Sequence, residues 1–448
     1  MLSDMNNPKK KLNVLIIDGG GRGSVLVEKY SQSKTVKNIF AIPGNSSMAI
    51  NSKKSVKIYP DLKSTDANEI IKICNQENID LVDVAQDNAI AIGLVDELIK
   101  NNIQVIGPTK NAGQIEWDKS WSRDFMEKYK IPSPLYKVFY NKEEGFNFLD
   151  QKNNQPWFIK ASGLAEGKGV IPANNNQEAK DAIKQMTNFG ASGETYLLED
   201  WLVGEEFSAF AVIDGKNFKI LGFAQDHKRV NDSDQGPNTG GMGCVSNPLI
   251  VSKDVKSQVE VIFQKTVDGL IKEKRPYKGI LYLGGMVVGK KVFIIEFNAR
   301  WGDPEAQVII PSIKTDFMKI NRAIIKGRIN KLKIIIDNKT RVVVAGISKG
   351  YPVSYENVKG KQVFGLEKII KSEEVKLYGA GIIIKDNKFF ANGGRVFYLM
   401  AQGKDIFAAR KKVYKNLELI TIDGNNLHFR TDIGWRDIKR LRDGKIHP

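Results

Sequence analysis

Residues 1–112 alternate between short apolar segments and longer amphipathic segments, and this alternation constrains the fold strongly. The apolar segments have the length and β-branched content of strands, whereas the amphipathic segments show helical periodicity. Strands that alternate with helices are joined by crossover connections, which make the strands parallel. The sequence therefore predicts an N-terminal α/β domain with a parallel sheet. Its predicted strands are LNVLIID, NIFAIP, IDLVDVA and IQVIG, and its predicted helices are NEIIKICNQEN and AIAIGLVDELIKNN.

A glycine-rich turn, Gly19-Gly20-Gly21-Arg22-Gly23, follows the first predicted strand. At this place in an α/β unit, the N-terminus of the next helix offers backbone N–H groups to a phosphate. A nicotinamide-binding domain would also need an acidic residue about 20 positions further on. The segment VKNIF in that region contains no acid. We therefore expect a turn that faces a phosphate, with the alternative that it only shapes the chain.

A second glycine-rich turn, SGLAEGKGV, follows the predicted strand PWFIKA. It is not a Walker A loop, because that motif would need Gly at Ser162 and Ser or Thr at Gly169. Glycines on both sides of Lys168 instead suit a hairpin whose backbone approaches phosphates closely. Further on, Glu199 and Glu206 lie on either side of a turn at Gly204. They suit a site for adenine and ribose, or alternatively a solvated acidic turn.

The segment KKVFIIEFNAR predicts a buried strand that ends in Glu296 and Asn298. Residues two apart on a strand point to the same face. A carboxylate and an amide oxygen on one face are hard donors that suit Mg²⁺ between phosphates. The alternative is a polar strand end. The loop QDHKRVNDSDQGPNTGGMG is too polar for a core and too long for a hairpin, which favours a functional role. His227 alone within it is more often structural.

Length and composition restrict the class of protein. A chain of 448 residues predicts two to four domains, and the last 120 or so residues suggest a small α+β domain. The formal charge of +17 is spread along the chain, without the aromatic and basic platform of a nucleic-acid-binding protein. We find no segment of membrane-helix length and no signal-peptide pattern at the N-terminus. The two cysteines, Cys74 and Cys244, suit a reducing cytosol, so we expect a cytoplasmic protein.

Ten motifs occur in the order found in one family. The chain resembles the phosphoribosylamine–glycine ligase (glycinamide ribonucleotide synthetase) family of the ATP-grasp superfamily almost from end to end. The most specific combination is QDHKR with GPNTGGMG and EFNARWGDPE. The others are GGR at 20–22, PGN at 43–45, GPT at 107–109, IKASGLAEGKGV, GYP at 350–352, GGRV at 393–396 and DIGW at 432–435.

The resemblance implies a multidomain fold of α/β and α+β type. It implies a Rossmann-like N-terminal domain over residues 1–112, an ATP-grasp core over 113–328 with a mobile lid over about 135–197, and a C-terminal α+β domain over 329–448. The implied reaction joins glycine to 5-phosphoribosylamine with ATP and Mg²⁺ or Mn²⁺, in purine biosynthesis. The implied partners are these small molecules, with no nucleic acid and no membrane. We also expect a monomer or homodimer and a transient contact with the enzyme that supplies the amine.

The resemblance also assigns roles to matching positions. Glu296 and Asn298 match the metal ligands. The residues implied in ATP binding are Lys119, Lys160, Lys168, Glu199, Leu202 and Glu206. Those implied in catalysis are Asp226, Lys228 and Arg300. Those implied in binding the acceptor are Gly20, Gly21, Arg22, Asn45, Asp87, Asn238, Thr239 and Gly240.

The chain departs from the family pattern mainly in the first domain. Gly23-Ser24 replaces the usual Glu-His after GGR, and Asp18 stands where the family usually has Gly. Ala85-Gln86-Asp87 replaces Gly-Pro-Glu, and Ser162 stands where Asp is common. The first three departures lie where phosphoribosylamine is expected to bind. The alternatives are therefore an ATP-grasp ligase with a different amine acceptor and a nucleotide-binding pseudoenzyme.

Overall fold

The structure is a computed structural model that describes residues 10–165 and 168–444. Its first part is a five-stranded sheet in the order β3-β2-β1-β4-β5, and all of its strand pairs are parallel. This confirms the predicted parallel sheet. The strands are β1 (Leu12–Asp18), β2 (Val36–Pro43), β3 (Ser55–Ile58), β4 (Leu81–Val84) and β5 (Val105–Ile106). The helices are α1 (Gly21–Ser31), α2 (Ala67–Gln76), α3 (Asp87–Ile92) and α4 (Leu94–Lys100).

Two details of this sheet differ from the sequence prediction. Strand β3, which pairs with β2, is absent from the predicted strands, because its alternating exposure gives it little apolar character. The predicted helix AIAIGLVDELIKNN is two helices, α3 and α4. Gly93 separates them with a φ of +89°, a left-handed conformation that glycine adopts readily and that ends a helix.

A small four-stranded antiparallel sheet, β6-β9-β7-β8, forms a separate module over residues 136–200. It has its own apolar core, which includes Phe139, Trp157 and Ile183. Two connections, 129–135 and 201–204, join this module to the rest. Its elements are β6 (Tyr136–Phe139), β7 (Trp157–Ala161), β8 (Val170–Ala173), β9 (Tyr196–Asp200), α7 (Lys142–Asp150), α8 (Asn176–Gln185) and α9 (Ala191–Glu194). They follow α5 (Lys110–Trp117) and α6 (Lys119–Lys128).

A nine-stranded sheet extends through the rest of the molecule in the order β16-β15-β10-β11-β14-β17-β22-β19, with β24 beside β17. Its first five strands in this order precede residue 300 and the others follow residue 339. The strands of this sheet are β10 (Glu205–Asp214), β11 (Phe218–Asp226), β14 (Gly243–Ser246), β15 (Lys278–Val288), β16 (Lys291–Asn298), β17 (Thr340–Ser348), β19 (Val375–Gly379), β22 (Arg395–Gly403) and β24 (Leu427–His428).

The predicted boundary at 328/329 therefore falls between two parts of one sheet. The hydrogen bonds between β14 and β17 cross it, with Cys244 paired with Val343. The remaining strands form two small sheets, and the helices pack around them. These elements are β12 (Arg229–Asn231), β13 (Gln235–Asn238), β18 (Gln362–Phe364), β20 (Ile382–Lys385), β21 (Lys388–Ala391), β23 (Thr421–Ile422), α10 (Lys253–Lys272), α11 (Ala306–Ile309), α12 (Phe317–Ile325), α13 (Leu366–Ile370), α14 (Ile406–Leu417) and α15 (Trp435–Arg442).

Helix α1 joins the first sheet to the C-terminal part, and every one of its residues is buried. Its Tyr30 hydroxyl donates to Asp83 Oδ2 at 2.5 Å and accepts from Asn321 Nδ2 at 2.7 Å. The Tyr378 hydroxyl donates to Glu28 Oε2 at 2.7 Å. Because these polar groups are buried and paired, they fix how the two parts pack. No helix within the described residues is both long enough and apolar enough to cross a membrane.

Candidate active site

A cavity of about 720 Å³ lies where the first sheet, the small module and the nine-stranded sheet meet. The strand order of the first sheet reverses between β1 and β4. Ligands of open α/β sheets bind beyond the carboxyl ends of the strands at such a point. Most of the residues predicted from the sequence line this one cavity, namely Gly20, Arg22, Asp87, Lys119, Lys160, Glu199, Leu202, Glu206, Asp226, Lys228, Asn238, Thr239, Gly240, Glu296, Asn298 and Arg300.

Glu199 is buried and joins three elements through ion pairs. Arg123 of α6 contacts it with Nε at 2.7 Å and Nη2 at 2.8 Å, and Lys160 Nζ of β7 lies 2.6 Å away. Burial alone would raise the pKa of Glu199, but these cations outweigh it and lower the pKa to about 2. The carboxylate is therefore ionised and committed to the protein. The chain that follows, 200–202, lines the same cavity, and the contact of Glu199 with adenine stays a prediction.

Lys119 begins α6, where Asp118 caps the helix. Its Nζ donates to Gly163 O at 3.0 Å. Burial lowers the pKa of this lysine, although Glu296 opposes the effect. Ser162, the residue that replaces the family's usual Asp, donates its hydroxyl to Asp118 Oδ1 at 3.0 Å, so it helps to hold the cap. Lys119 is thus held beside the turn after β7.

Lys168 follows β7 and is exposed. The predicted glycine-rich hairpin lies between β7 and β8 in the sequence, and these two strands pair in antiparallel orientation. Residues 166 and 167, which are part of the predicted flap, lie outside the described residues. Beyond the small module, Lys228 Nζ lies 2.9 Å from Glu206 Oε2. This ion pair raises the pKa of Lys228.

Glu296 and Asn298 lie on β16 with their side chains on the same face, two residues apart. Burial opposes the ionisation of Glu296, but Lys228, Lys160 and Lys119 together lower its pKa. Within residues 10–165 and 168–444, no hydrogen bond or ion pair reaches the Glu296 carboxylate. The Asn298 amide is buried, and its Nδ2 has no hydrogen-bond partner.

The carboxylate oxygens of Glu296 and the amide oxygen of Asn298 are hard donors that would suit a divalent cation such as Mg²⁺. No group of three or more His, Cys, Asp or Glu side chains in the described part of the chain is placed to hold a metal. A cation at Glu296 and Asn298 would therefore take its remaining ligands from phosphate oxygens and water, which is how Mg²⁺ is usually bound in phosphoryl-transfer sites.

Asp226 ends β11 and forms a buried acid pair with Glu305. Glu305 accepts hydrogen bonds from the Tyr282 hydroxyl at 2.9 Å and from Ser208 Oγ at 3.1 Å. Burial and the neighbouring Glu305 raise the pKa of Asp226 well above its ordinary value. Asp226 Oδ1 also accepts a hydrogen bond from His227 N at 2.7 Å.

Arg300 follows β16 and lies between two acids. Its Nη2 is 3.0 Å from Glu116 Oε1 and 3.5 Å from Asp87 Oδ2, and its Nε is buried without a partner. Glu116 also accepts from Ala299 N at 2.7 Å. Burial raises the pKa of Glu116 to about 7, with Arg300 opposing the shift. The Arg300 guanidinium therefore links the end of β16 to α3, which carries Asp87, and to α5, which carries Glu116.

The predicted loop after β11 is fixed by the C-terminal segment. Thr239 donates through its N and its Oγ1 to Lys228 O, each at 2.8 Å. Gly240 N donates to the Tyr351 hydroxyl at 3.1 Å. Arg430 pairs with Asp234 at 2.8 Å. His227 Nε2 accepts from Gly434 N at 3.0 Å, and burial lowers the pKa of His227 to about 3, so this histidine is neutral and structural.

The turn after β1, predicted to face a phosphate, is held by hydrogen bonds within the protein. Asp18 Oδ1 accepts from Gly20 N at 2.6 Å and from Gly23 N at 3.0 Å. Arg22 is paired with the same carboxylate. The Asn45 amide donates to Gly19 O at 3.0 Å and to Gly379 O at 3.3 Å, so it ties the turn to β19. These groups have protein partners, and their predicted contacts with an acceptor stay untested.

Several residues of the cavity were not assigned roles from the sequence. Glu305 and Asp303 lie within the motif EFNARWGDPE, and Arg395 lies within GGRV. The motifs therefore mark these positions but do not indicate what each side chain does. For Arg123 the sequence predicted a position on a helix but no role in the site, because its partner Glu199 is 76 positions away. For Glu116 the signal is an acid between the apolar residues Ile115 and Trp117 of a helix, and its side chain is buried in the structure.

Comparison with known proteins gives consistent results. Family models match three consecutive parts of the chain, described as the N domain (residues 12–116), the ATP-grasp (A) domain (117–306) and the C domain (340–436) of phosphoribosylglycinamide synthetase. The chain is 37% identical over 426 residues to phosphoribosylamine–glycine ligase of Caldanaerobacter subterraneus, covering 94% of this chain and 99% of that protein.

Larger proteins and solved structures are also similar. The chain is 38% identical to the trifunctional purine biosynthetic protein adenosine-3 of Gallus gallus, and the match covers 96% of this chain but only 43% of that longer protein. The crystal structure of phosphoribosylamine–glycine ligase from Thermotoga maritima superposes with a TM-score of 0.78 at 29% identity, over 94% of this chain and all of that one. Because the three family models together match most of the sequence, the chain belongs to the phosphoribosylglycinamide synthetase family of ATP-grasp ligases.

Proposed function

We propose that this protein joins glycine to 5-phospho-D-ribosylamine, converting ATP to ADP and phosphate and giving glycinamide ribonucleotide. This would be the second step of de novo purine (IMP) biosynthesis. The observation that carries the proposal is the meeting of two groups of residues in one cavity. The lysines and the Glu296–Asn298 pair suit the phosphates of ATP, and Asp226, Arg300 and the loop at 238–240 border the same space.

The first chemical problem is to bring a carboxylate and a triphosphate together. Two unit charges 4 Å apart repel by about 4 kcal/mol at an effective dielectric constant of 20. Lys119, Lys160 and Lys228 all bring positive charge to the surroundings of Glu296. We infer that these lysines offset the repulsion while glycine attacks the γ-phosphate and forms a glycyl phosphate.

A divalent cation, Mg²⁺ or Mn²⁺, held by Glu296 and Asn298 would neutralise phosphate charge during this transfer. The residues of the chain provide the other requirements. Arg300, with a buried Nε that lacks a partner, is placed to donate to an oxygen of the acyl phosphate. Asp226 and Glu305 bring two carboxyl groups to this part of the cavity, and we infer that they receive the ammonium group of glycine.

In the second step the amine of phosphoribosylamine attacks the acyl phosphate, and phosphate leaves. Water would compete for the same intermediate, so it must be excluded. The small module over residues 136–200 covers the nucleotide end of the cavity, and we propose that it acts as the mobile lid. We further propose that the reaction takes place in the cytoplasm, and that the enzyme supplying the unstable amine makes transient contact with this protein.

The test is ADP release by the purified protein with ATP, Mg²⁺ and glycine, with and without freshly generated phosphoribosylamine. We expect rapid ADP release only when both glycine and the amine are present, together with glycinamide ribonucleotide in equal amount. Alanine and serine in place of glycine are the matched controls. Equal rates with these amino acids would contradict the glycine assignment. Release that depends on glycine but not on phosphoribosylamine would contradict the proposed acceptor.

A further inference from the structure

The turn between β1 and α1 already contains an anion of the protein itself. Asp18 is the last residue of β1, and its side chain is 0% exposed. Its Oδ1 accepts from Gly20 N at 2.6 Å and from Gly23 N at 3.0 Å. Backbone N–H groups at the start of a helix are the donors that a bound phosphate uses in turns of this kind. In this chain the carboxylate of Asp18 uses two of them.

The cationic side chain of the turn is committed in the same way. Arg22 Nε and Nη2 both lie 2.7 Å from Asp18 Oδ2. Its Nη1 donates to Trp301 O at 2.9 Å, and the side chain is only 7% exposed. A guanidinium held on two sides in this way has its charge compensated and its orientation fixed. It has little to offer to a second anion.

The space and charge around the turn also disfavour a second anion. A Cβ atom on Gly21 would lie 2.3 Å from the Tyr398 ring, so the turn is packed directly against β22. Arg22 N faces Asp303 Oδ2 at 3.4 Å, which brings a second carboxylate to the turn. Burial opposes the ionisation of Asp303, but Arg395 and Arg22 outweigh it and lower its pKa. The turn is therefore filled and flanked by negative charge.

We propose that Asp18 occupies the anion position of the β1–α1 turn, so that this enzyme recognises the phosphate of its acceptor elsewhere in the cavity. The inference rests on the proposed function for the identity of the acceptor. It makes Asp18 a positioning residue: it excludes phosphate from the turn and holds Arg22 in place. The turn then shapes the wall of the cavity where the acceptor binds, but it makes no ion pair with the phosphate of the acceptor.

The experiment compares the wild-type protein with Asp18→Gly, which empties the position, and with Asp18→Asn, which keeps its shape without the charge. Asp61→Asn is the control, because Asp61 is an exposed acid of the same domain. The first measurement is calorimetric titration with sulfate. We expect at least tenfold tighter binding of one sulfate to Asp18→Gly than to the wild type. Equal sulfate binding by the two proteins would overturn the proposal.

The second measurement is the ratio of kcat/KM for phosphoribosylamine to kcat/KM for ribosylamine, which is the same amine without the phosphate. We expect this ratio to stay within about threefold in Asp18→Asn and not to fall in Asp18→Gly. A tenfold or greater fall in either variant would mean that the turn binds the phosphate, and would overturn the proposal. If Asp18→Gly does not fold, the ratio in Asp18→Asn decides.

The two proposals fail in different ways. A wild-type protein that releases no ADP with phosphoribosylamine contradicts the proposed function, while the sulfate titration still tests Asp18. If the wild type uses phosphoribosylamine but the Asp18 variants no longer prefer it to ribosylamine, only the role of Asp18 is contradicted.

Discussion

At the scale of single residues, the buried acids of the cavity differ in what they are bound to. Glu199 is held by two cations, Glu305 by two hydroxyls and Asp18 by backbone amides and an arginine. Glu296 has no such partner within the described residues, although three lysines lower its pKa. A carboxylate left free among cations is available to a cation that arrives with the nucleotide.

We expect Glu296→Gln to lower kcat by about 10²–10³-fold with little loss of stability, because it removes one charged group from the site of phosphoryl transfer. Activity at several Mg²⁺ concentrations and the melting temperature would be measured together. Glu260→Gln, on the exposed face of α10, is the control and should be fully active. Near-normal turnover of Glu296→Gln at saturating Mg²⁺ would rule out a metal-binding role for Glu296.

A second residue gives a prediction about pH. Burial raises the pKa of Asp83 from 3.8 to about 6, although the hydrogen bond from Tyr30 opposes the shift. A carboxyl group with a raised pKa in the folded state favours folding below its unfolded pKa, and this contribution is lost as pH rises through the folded pKa. Relative to Asp83→Asn, the wild type should therefore lose about 2 kcal/mol of unfolding free energy between pH 4 and pH 8.

Urea unfolding of both proteins across this pH range measures the difference. Asp61→Asn, a replacement of an exposed acid in the same domain, is measured beside it as the control. A difference between the wild type and Asp83→Asn that stays constant with pH would show that the Asp83 carboxyl titrates alike in the folded and unfolded chain.

At the scale of elements, local patterns predict strands and helices but not which strands become neighbours. The parallel sheet was predictable because its strands and helices alternate in sequence, and the Glu296–Asn298 pair because a strand fixes the direction of its side chains. The pairing of β14 with β17, almost 100 residues later, has no local signal. The same holds for Glu199, whose role depends on Arg123 of α6 and Lys160 of β7.

The small module gives a prediction at this scale. It has its own core and is joined to the rest by two connections, so it can move as one body. We expect a non-hydrolysable ATP analogue to slow amide hydrogen exchange in β7 and β8, and to leave β1 and β2 unchanged. If the amide exchange rates in β7 and β8 are the same with and without the analogue, the module does not close over the nucleotide.

At the scale of the whole molecule, the nine-stranded sheet joins what the sequence divides into two domains. Removing residues after 328 would expose the edge of β14 that pairs with β17. Unpaired, apolar strand edges promote aggregation. We therefore expect a chain of residues 1–328 to be insoluble or molten.

The control for this truncation is a chain in which residues 136–200 are replaced by a short glycine linker. It should stay folded and monodisperse, because that module has a separate core. Size-exclusion chromatography and circular dichroism of both chains decide the matter. A soluble 1–328 chain with a cooperative unfolding transition would show that the shared sheet is not required for folding.

The two connections of the small module have a consequence for how faithfully ATP is used. Helix α1 and the nine-stranded sheet are held by buried contacts, whereas the small module is the part that we propose to open. If it opens after the acyl phosphate has formed, water completes the reaction and ADP appears without an amide bond. A weakened connection would thus reveal itself in the number of ATP molecules consumed per product molecule, while the rate of ATP consumption stays high. We therefore expect the two connections, 129–135 and 201–204, to affect how much product forms per ATP consumed, and not only how fast ATP is consumed.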